Sequence, residues 1–359
     1  MILRCLIIMI ACFLPFHASR LAAEEFHLDS AFNKGTLRLE IDNDYVWDRD
    51  SHFTNAWSIQ YYSAGYARWD DTRAPAPVKW VGNHFPTLGD DEAMVRFGNG
   101  LGQNMYTPRY LEARSLREGD LPYAGTLTYS LNWQRFNRQS ASNLQITLGV
   151  LGKESMVEGF QRAAHDVVNG STEPMGWDTQ RDSEPIINIG YLYERRLAHF
   201  GTADDGWSAR LSLSPSASVG NLATMVELGL GFCFGWNMSE GFGRLPAQPG
   251  IGFFQAADIP KSAAASPHSI ECILALRGTG LLYSVVYDGS LITGDDRDVE
   301  REIFTLAGIV GVVYRYRPYV AVGAYLQRAS DLLKPESLPS PERTAADVSY
   351  GTLTIDFYF

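Results

Sequence analysis

Two polar residues one helical turn apart are the first candidates for chemistry in this sequence. Gln161 and His165 lie four positions apart in the segment 150–170, so in a helix they share one flank. A histidine can take a proton from water, which makes His165 a candidate general base. The alternative is an ordinary half-exposed residue on a helix that caps the fold. The apolar residues that predict this helix recur at helical spacing; they are Met156, Phe160, Ala164 and Val167. Gly170 is the predicted end of the helix.

A second group of polar residues provides oxygen atoms that suit a cation. Asn43 and Asp44 are followed by further aspartates, by His52 and by Thr54. Carboxylate and amide oxygens at this density suit a hard cation such as Ca²⁺, although they do not match the twelve-residue EF-hand loop. The alternative is a solvated acidic loop.

A third group is basic. Residues 102–125 contain Arg109, Arg114 and Arg117 among the Pro and Gly residues of predicted turns. Guanidinium groups bind phosphate in bidentate geometry, so these side chains are candidates for contact with a phosphorylated substrate. Scattered surface arginines are the alternative. The sequence has no G-x-S-x-G elbow, and a histidine near a cation site instead predicts hydrolysis of an ester by water.

The segments that carry these residues alternate as β-strands. Between residues 222 and 236 one face is apolar and the other is small or polar. Strands of about ten residues with this alternation are typical of membrane barrels, whereas strands of soluble sandwiches are usually ~5–6 residues long. The segment 348–359 alternates in the same way and ends in Phe359. The 18 Tyr, 18 Phe and 8 Trp suit the aromatic girdles of such a barrel.

We therefore predict an all-β fold, a transmembrane antiparallel barrel of twelve strands with a helix in an extracellular loop. Closed single-chain bacterial barrels have an even number of strands. Because sequential strands are neighbours in such a barrel, we expect the first three extracellular loops to converge. The segment 269–288 is the one that could be split. The predicted strands are 36–43, 54–64, 93–104, 122–136, 143–151, 184–197, 207–219, 222–236, 269–288, 301–315, 318–329 and 348–359.

The alternation of the first strand places one candidate site on the outer wall. Leu37, Leu39 and Ile41 form its lipid-facing row, and Asn43 continues that row. A polar amide in a lipid-facing row is unusual. It predicts a site on the outer wall of the barrel rather than in the lumen, provided that no β-bulge interrupts the strand.

The N-terminus predicts export. Arg4, the apolar residues 6–16 and the small residues 21–23 have the order of a secretory signal peptide, so we expect residues 1–23 to be removed and 24–359 to form the barrel domain. The net charge of −11 argues against a nucleic-acid partner. Cys233 and Cys272 remain after the signal peptide and could pair in an oxidising compartment.

An ordered set of short motifs runs along the first half of the chain: Asn43-Asp44, HFTN at 52–55, GQNMYTP at 102–108, GDLPYAG at 119–125, GVLG at 149–152, Gln161, His165 and GWD at 176–178. Taken in this order, the motifs resemble those of the lipid A 3′-O-deacylases, twelve-stranded calcium-dependent barrels of the Gram-negative outer membrane. The resemblance implies an enzyme that draws lipid A sideways from the outer leaflet and hydrolyses the ester of its 3′-linked acyloxyacyl group.

The resemblance also implies roles for individual residues. His165 corresponds to the catalytic histidine and Asp44 to the calcium-binding residue, and three further site residues correspond to Gln161, Asn43 and Thr54. The family has a lysine in the loop between strands 3 and 4. Residues 111–115 read LEARS here, so we expect Arg114 or Arg117 to bind the substrate.

The implied protein is a monomer embedded in the bacterial outer membrane. Its partner would be the lipid A of lipopolysaccharide in the outer leaflet, and its site would face the extracellular side. Two alternatives stay open. One is a calcium-dependent outer-membrane phospholipase, and the other is a passive porin-like channel.

Overall fold

The structure of the chain is a computed structural model that describes residues 34–47, 52–89, 93–117, 119–167, 173–201, 206–239, 241–242, 266–297, 299–334 and 348–359. The predicted signal peptide, residues 1–23, and the predicted helix stop at Gly170 lie outside the described residues. Within the described residues, no helix is both long and apolar enough to cross a membrane.

Twelve antiparallel strands form one closed barrel, in which each strand pairs with its neighbours in sequence and β1 pairs with β12. The prediction of a twelve-stranded barrel is confirmed. The segment that could have been split is one strand followed by the one-turn helix Val285–Asp288. The strands are β1 Thr36–Asn43, β2 His52–Tyr62, β3 Met94–Thr107, β4 Ala124–Phe136, β5 Ser140–Leu151, β6 Glu184–Phe200, β7 Trp207–Gly220, β8 Ala223–Trp236, β9 His268–Ser284, β10 Phe304–Tyr316, β11 Val320–Ala329 and β12 Tyr350–Tyr358.

Both ends of the described chain lie at one end of the barrel, which we call the base; the opposite end is the rim. The outer face is apolar, as the alternation predicts. Along β8, for example, Leu228, Leu230 and Phe232 are exposed. On β12, Thr354 and Asp356 point the other way and are buried inside the barrel. An apolar exterior and a polar interior are what a barrel in a bilayer needs.

The lumen is filled by paired charges. Arg38 binds Asp356 through a 2.8 Å hydrogen bond, and Glu271 lies between Arg210 and Arg315, 2.7 Å from the latter. Buried charges are stable only when paired in this way. These side chains extend into the lumen, where they pair across neighbouring strands. Cys233 and Cys272 do not pair: both are free, Cys233 buried and Cys272 exposed.

An aromatic cluster closes the rim. The ring of Phe53 packs edge-on against Tyr106 and Tyr350, with centroids 5.8 and 5.3 Å away. Tyr106 also contacts Tyr287, which belongs to the helix after β9. The cluster and the paired charges are buried inside the barrel, where they take up part of the space that the channel alternative requires to be open.

A helical segment, residues 66–89, packs on the outer wall at the base, and we call it the base cap. It contains the short 3-10 helix Trp69–Asp71 and the helix α1, Ala76–His84. Its apolar side chains cover outward residues of β3, β4 and β5, namely Val95, Trp133 and Leu144. This segment lies within the connection 65–92, for which the sequence predicts no chemistry.

A second helix, α2, spans Val157–Val167 at the rim. The prediction that Met156 belongs to its apolar face was wrong. Met156 ends the 3-10 helix Lys153–Ser155 in a left-handed conformation (φ 58°), and its side chain is 66% exposed. The chain changes direction there, so the buried flank of α2 is formed by Val157 and Gln161. Gln161 thus lies within the buried flank of α2.

Candidate functional site

The rim ends of β1 and β2 hold a pair of amide side chains. Asn43 and Asn55 are directly opposite in register. Asn43 Nδ2 donates to the carbonyl of Thr54 at 3.1 Å, and Asn55 Nδ2 donates to the carbonyl of Asp42 at 3.1 Å. A register shift occurs here, but it lies between Phe53 and Asn55 in β2, so the outward row of β1 continues to Asn43. The two amides fix the corner from which the first loop departs.

Asp44 and Thr54 are both buried at this corner. Asp44 begins the 3-10 helix Asp44–Trp47, and Thr54 Oγ1 shares a 2.6 Å hydrogen bond with Thr107 Oγ1. A buried carboxylate requires a compensating charge or hydrogen bonds. This part of the chain therefore offers one carboxylate with amide, hydroxyl and carbonyl oxygens beside it.

These oxygen types fit calcium, which accepts carbonyl, amide and water oxygens as well as carboxylates. In the part of the chain that the structure describes, no three His, Cys, Asp or Glu side chains gather as a metal cluster. Among the described residues, the other oxygens beside Asp44 are therefore those of neutral groups such as Asn43 and Thr54. Asp48 and Asp50 of the predicted acidic cluster lie outside the described residues.

The outward row of β2 leads from the amide pair to the helix α2. The indole of Trp57 donates to Gln103 Oε1 at 2.9 Å, and its ring centroid lies 6.4 Å from that of Phe160. Gln103 Nε2 in turn donates to the carbonyl of Ser155 at 2.7 Å. The sequence analysis missed Trp57 and Gln103. The signal that identifies Gln103 is the one used for Asn43, a polar residue in a lipid-facing row.

A glycine allows this helix to approach the barrel closely. A Cβ at Gly125 would lie 2.4 Å from Ser155 Oγ and 2.7 Å from the Cβ of Val157. Val157 belongs to a small apolar core outside the barrel. We call the segments that build this core the rim cap; they are residues 108–123, 153–167 and 175–180. The core residues are Met105, Leu111, Tyr123, Val157 and Trp177.

Gln161 is held by this core through Trp177. The indole Nε1 of Trp177 donates to Gln161 Oε1 at 2.7 Å, and its ring packs against Tyr123 with centroids 4.6 Å apart. Gln161 is 2% exposed. Its Nε2 has no hydrogen-bond partner among the described residues. The site therefore contains a buried amide donor whose acceptor is not part of the described protein.

His165 lies in α2 one turn after Gln161, but its side chain lies outside the described residues. The structure thus places its backbone on the helix that packs against the outer wall. The direction of its imidazole stays a prediction.

The two predicted substrate arginines lie in the first segment of the rim cap. Arg114 and Arg117 are both exposed, and the Arg117 guanidinium lies 3.7 Å from the centroid of the Tyr110 ring. Asp120 holds this loop by accepting the N–H groups of Arg109 at 3.0 Å and Leu121 at 2.8 Å. Burial raises the pKa of Asp120, although these hydrogen bonds oppose the shift.

The loop after β9 braces the turn that carries Trp177. Arg297 donates to the carbonyls of Thr179 at 2.8 Å and Gln180 at 3.1 Å. Asp295 binds Arg297 and lies 3.3 Å from Arg181. Burial opposes the ionisation of Asp295, but the two guanidinium groups prevail and hold the pKa of Asp295 well below its usual range. A charged network thus connects distant loops to the turn beside Gln161.

Comparisons with known proteins place this barrel among outer-membrane proteins. A family model described as "Outer membrane protein LpxR" matches residues 5–339. The structure of LpxR from Salmonella typhimurium aligns with a TM-score of 0.69 and 16% identity, covering 90% of this chain and 100% of that chain. The β domain of the Bordetella autotransporter Brka aligns with a TM-score of 0.37 and 10% identity, covering 91% and 97% of the two chains. No curated protein matches the sequence.

Proposed function

Because this chain belongs to the LpxR family of outer-membrane proteins, we propose that it modifies lipid A by hydrolysing an ester at the rim cap. The chain is an integral protein of the outer membrane. The finer proposal is that the ester is the one that links the 3′-acyloxyacyl group. The observation that supports it most is the position of Asn43, Gln103 and Gln161, polar residues on the outer face of the wall and not in the lumen.

A polar site on the outer wall suits a substrate that arrives within the membrane. Polar groups that face lipid are unfavourable, so their presence beside α2 favours a polar ligand there. Below the rim cap the wall exposes apolar side chains such as Leu101 and Tyr129, against which an acyl chain would lie. Arg114 and Arg117 are exposed above it and would bind the phosphate groups of lipid A.

The residues of α2 would carry out the proton transfer. His165 would take a proton from the water molecule that attacks the ester carbonyl, a role that contributes roughly 10²–10⁴-fold in comparable enzymes. Gln161 would donate an N–H to the carbonyl oxygen. The proton would then pass from His165 to the departing sugar oxygen, which releases the acyl group as a carboxylic acid.

We propose calcium as the cofactor, bound by Asp44 with oxygens of Asn43 and Thr54 as further ligands. Bound calcium would supply positive charge where the carbonyl oxygen becomes negative. The amide pair of Asn43 and Asn55 keeps Asp44 at the corner where β1 ends. With the N-terminus in the periplasm, the rim and its site would face the cell exterior.

The test is the mass of lipid A from cells that express the intact chain, His165→Ala or Asp44→Asn, each with and without a chelator. Cells with the intact chain should lose the mass of the acyloxyacyl group, and either variant or the chelator should prevent this loss. Lipid A of unchanged mass in cells with the intact chain would overturn the proposal. Lysophospholipid in place of deacylated lipid A would favour the phospholipase alternative.

A further inference from the structure

The contact between Trp177 and Gln161 determines which end of the Gln161 amide faces the site. An indole N–H can only donate a hydrogen bond, so the atom 2.7 Å from it must be the amide oxygen of Gln161. The amide nitrogen then points away from Trp177. This nitrogen is buried and has no acceptor among the described residues. A buried donor without an acceptor is unfavourable, so the arrangement is suited to an acceptor that comes from outside the protein.

Gln103 shows that an indole contact does not by itself leave an amide donor unused. Gln103 also accepts an indole N–H, from Trp57, but its Nε2 donates to the carbonyl of Ser155 at 2.7 Å. Both ends of the Gln103 amide are therefore used inside the protein. Gln161 has the same indole contact and lacks the second partner within the described chain.

Trp177 is itself held firmly. Its ring is buried and packs against Tyr123, whose hydroxyl donates to the carbonyl of Leu111 at 2.8 Å. The preceding Gly176 leaves no room for a side chain, because a Cβ there would lie 2.6 Å from the carbonyl oxygen of Ala113. Arg297 holds the following residues through their carbonyls. An indole that cannot move gives the amide one orientation.

We propose that Trp177 is a positioning residue that makes Gln161 a donor to the acyl carbonyl oxygen of the substrate. This inference rests on the proposed ester hydrolysis. When water adds to the carbonyl carbon, the carbonyl oxygen gains the electron pair of the broken π bond, and an N–H aimed at that oxygen stabilises it. An amide free to rotate would also present its oxygen, which repels the negative charge. Trp177 excludes that orientation by binding the amide oxygen.

The test is a set of rate measurements on purified lipid A with the full chain in detergent micelles. Trp177→Phe keeps an aromatic ring against Tyr123 and loses the N–H. It should lower kcat about tenfold with little change in KM, since one hydrogen bond is lost and binding is not. The same substitution in a Gln161→Ala background should lower kcat no further, because Trp177 acts only through that amide. The control is Trp80→Phe on the 63% exposed Trp80 of the base cap, which should match the wild type.

Gln161→Glu sharpens the test because it keeps the contact with Trp177 but replaces the donor with an acceptor. Its kcat should fall as far as that of Gln161→Ala, about 10²–10³-fold. Wild-type kcat in Gln161→Glu or in Trp177→Phe would overturn the proposal. An equal loss from Trp177→Phe in both backgrounds would also overturn it, because the indole would then act without Gln161.

A measurement independent of activity separates this inference from the proposed function. In protein labelled with ¹⁵N at tryptophan, the signal that disappears in Trp177→Phe identifies the indole N–H of Trp177. The hydrogen of this group should exchange slowly with water, and Gln161→Ala should make it exchange faster. If the intact chain leaves lipid A unchanged, the proposed function fails. The exchange measurement then tests the orientation of the Gln161 amide by itself. Exchange that does not depend on Gln161 would overturn the inference.

Discussion

The base cap and the rim cap both pack on the outer wall, but their tryptophans bind different partners. At the base, Trp69 donates to the carbonyl of Leu88 at 2.9 Å, and Trp133 on the wall donates to the carbonyl of Val78 at 2.8 Å. Both acceptors are backbone groups. These bonds complete the hydrogen bonding of the helix and loop, and they leave no unused donor behind.

At the rim, the corresponding indoles bind side-chain amides. Trp57 donates to Gln103 and Trp177 donates to Gln161. An amide that accepts through its oxygen still has two N–H donors to offer. Gln103 uses this capacity to hold Ser155, whereas Gln161 keeps it for a partner outside the described protein. The base indoles thus bind backbone groups, whereas the rim keeps an amide donor available for the ligand that the proposed function requires.

The largest expected difference between the caps is in how much kcat falls when a histidine of each cap is replaced. His165→Ala should lower kcat for lipid A deacylation by roughly 10²–10⁴-fold, because the general base is lost. His84→Ala should leave kcat unchanged, since His84 is exposed in the base cap and contacts Trp80 there, stacking on its ring with centroids 4.8 Å apart and lying 2.8 Å from its carbonyl oxygen. The measurement is acyl release from purified lipid A in micelles. Comparable losses in the two variants would remove the distinction.

The next largest difference is expected when a glycine in close contact with each cap is replaced by valine. Gly125→Val should push α2 away from the wall, since its Cβ would lie 2.4 Å from Ser155 Oγ, and a misplacement of ~1 Å can lower kcat about 10²-fold. Gly82→Val would meet the ring of Trp69 at 2.3 Å and should lower the free energy of unfolding by about 1–3 kcal/mol with kcat unchanged. Thermal unfolding and rate assays on the same samples measure both. A rate defect in Gly82→Val would mean that the base cap also supports the site.

A smaller effect is expected from removing the N–H of one wall indole beside each cap. Trp57→Phe and Trp133→Phe should each lower the free energy of unfolding by about 1 kcal/mol. Trp57→Phe alone should also lower kcat several-fold, because Gln103 then holds Ser155 and the start of α2 less firmly. If Trp133→Phe slows the reaction as much, the contrast between backbone and amide partners has no functional meaning.

The smallest effect concerns pH. Because the pKa of Asp295 is held below its usual range, its ion pairs contribute fully to stability above the ordinary pKa of aspartate, ~3.9, and this contribution is lost as the pH falls through the lower folded-state value. The difference in unfolding free energy between wild type and Asp295→Asn should thus be constant near pH 7 and shrink below about pH 4.

The matched variant for this measurement is Asp71→Asn in the base cap. Asp71 pairs with Arg68 at 3.3 Å on the surface, and exposed pairs of this kind contribute little to stability. Unfolding of Asp71→Asn should follow that of the wild type at every pH. A difference for Asp295→Asn that grows in acid would contradict the sign of the pKa shift.

Much of the barrel was predictable because alternation is a local property of each strand. The residues of β12 illustrate this: Leu353 and Phe357 face outward and Thr354 faces inward, as their order alone predicts. The same rule correctly placed Asn43 on the outward row. Applied to β3, it would also have singled out Gln103.

The caps were less predictable because their shapes depend on contacts between distant residues. Helical periodicity includes Met156, yet the close approach of Ser155 and Val157 to Gly125 makes the chain turn at that position. The burial of Gln161 depends on Trp177, sixteen residues later. No local pattern reports such contacts, so the sequence identified Gln161 through resemblance and not through its surroundings.

The two caps cover the outer wall unevenly. Both pack against β3, β4 and β5, whereas on the described part of β8 the outward side chains of Leu228 and Leu230 are exposed. Under the proposed function, a substrate diffusing in the plane of the bilayer would reach the site from the flank that carries the rim cap. Crowding by neighbouring proteins would slow turnover when they gather on that flank and would have no effect on the other. A bulky tether at Leu228 should be tolerated where one at Leu101 is not.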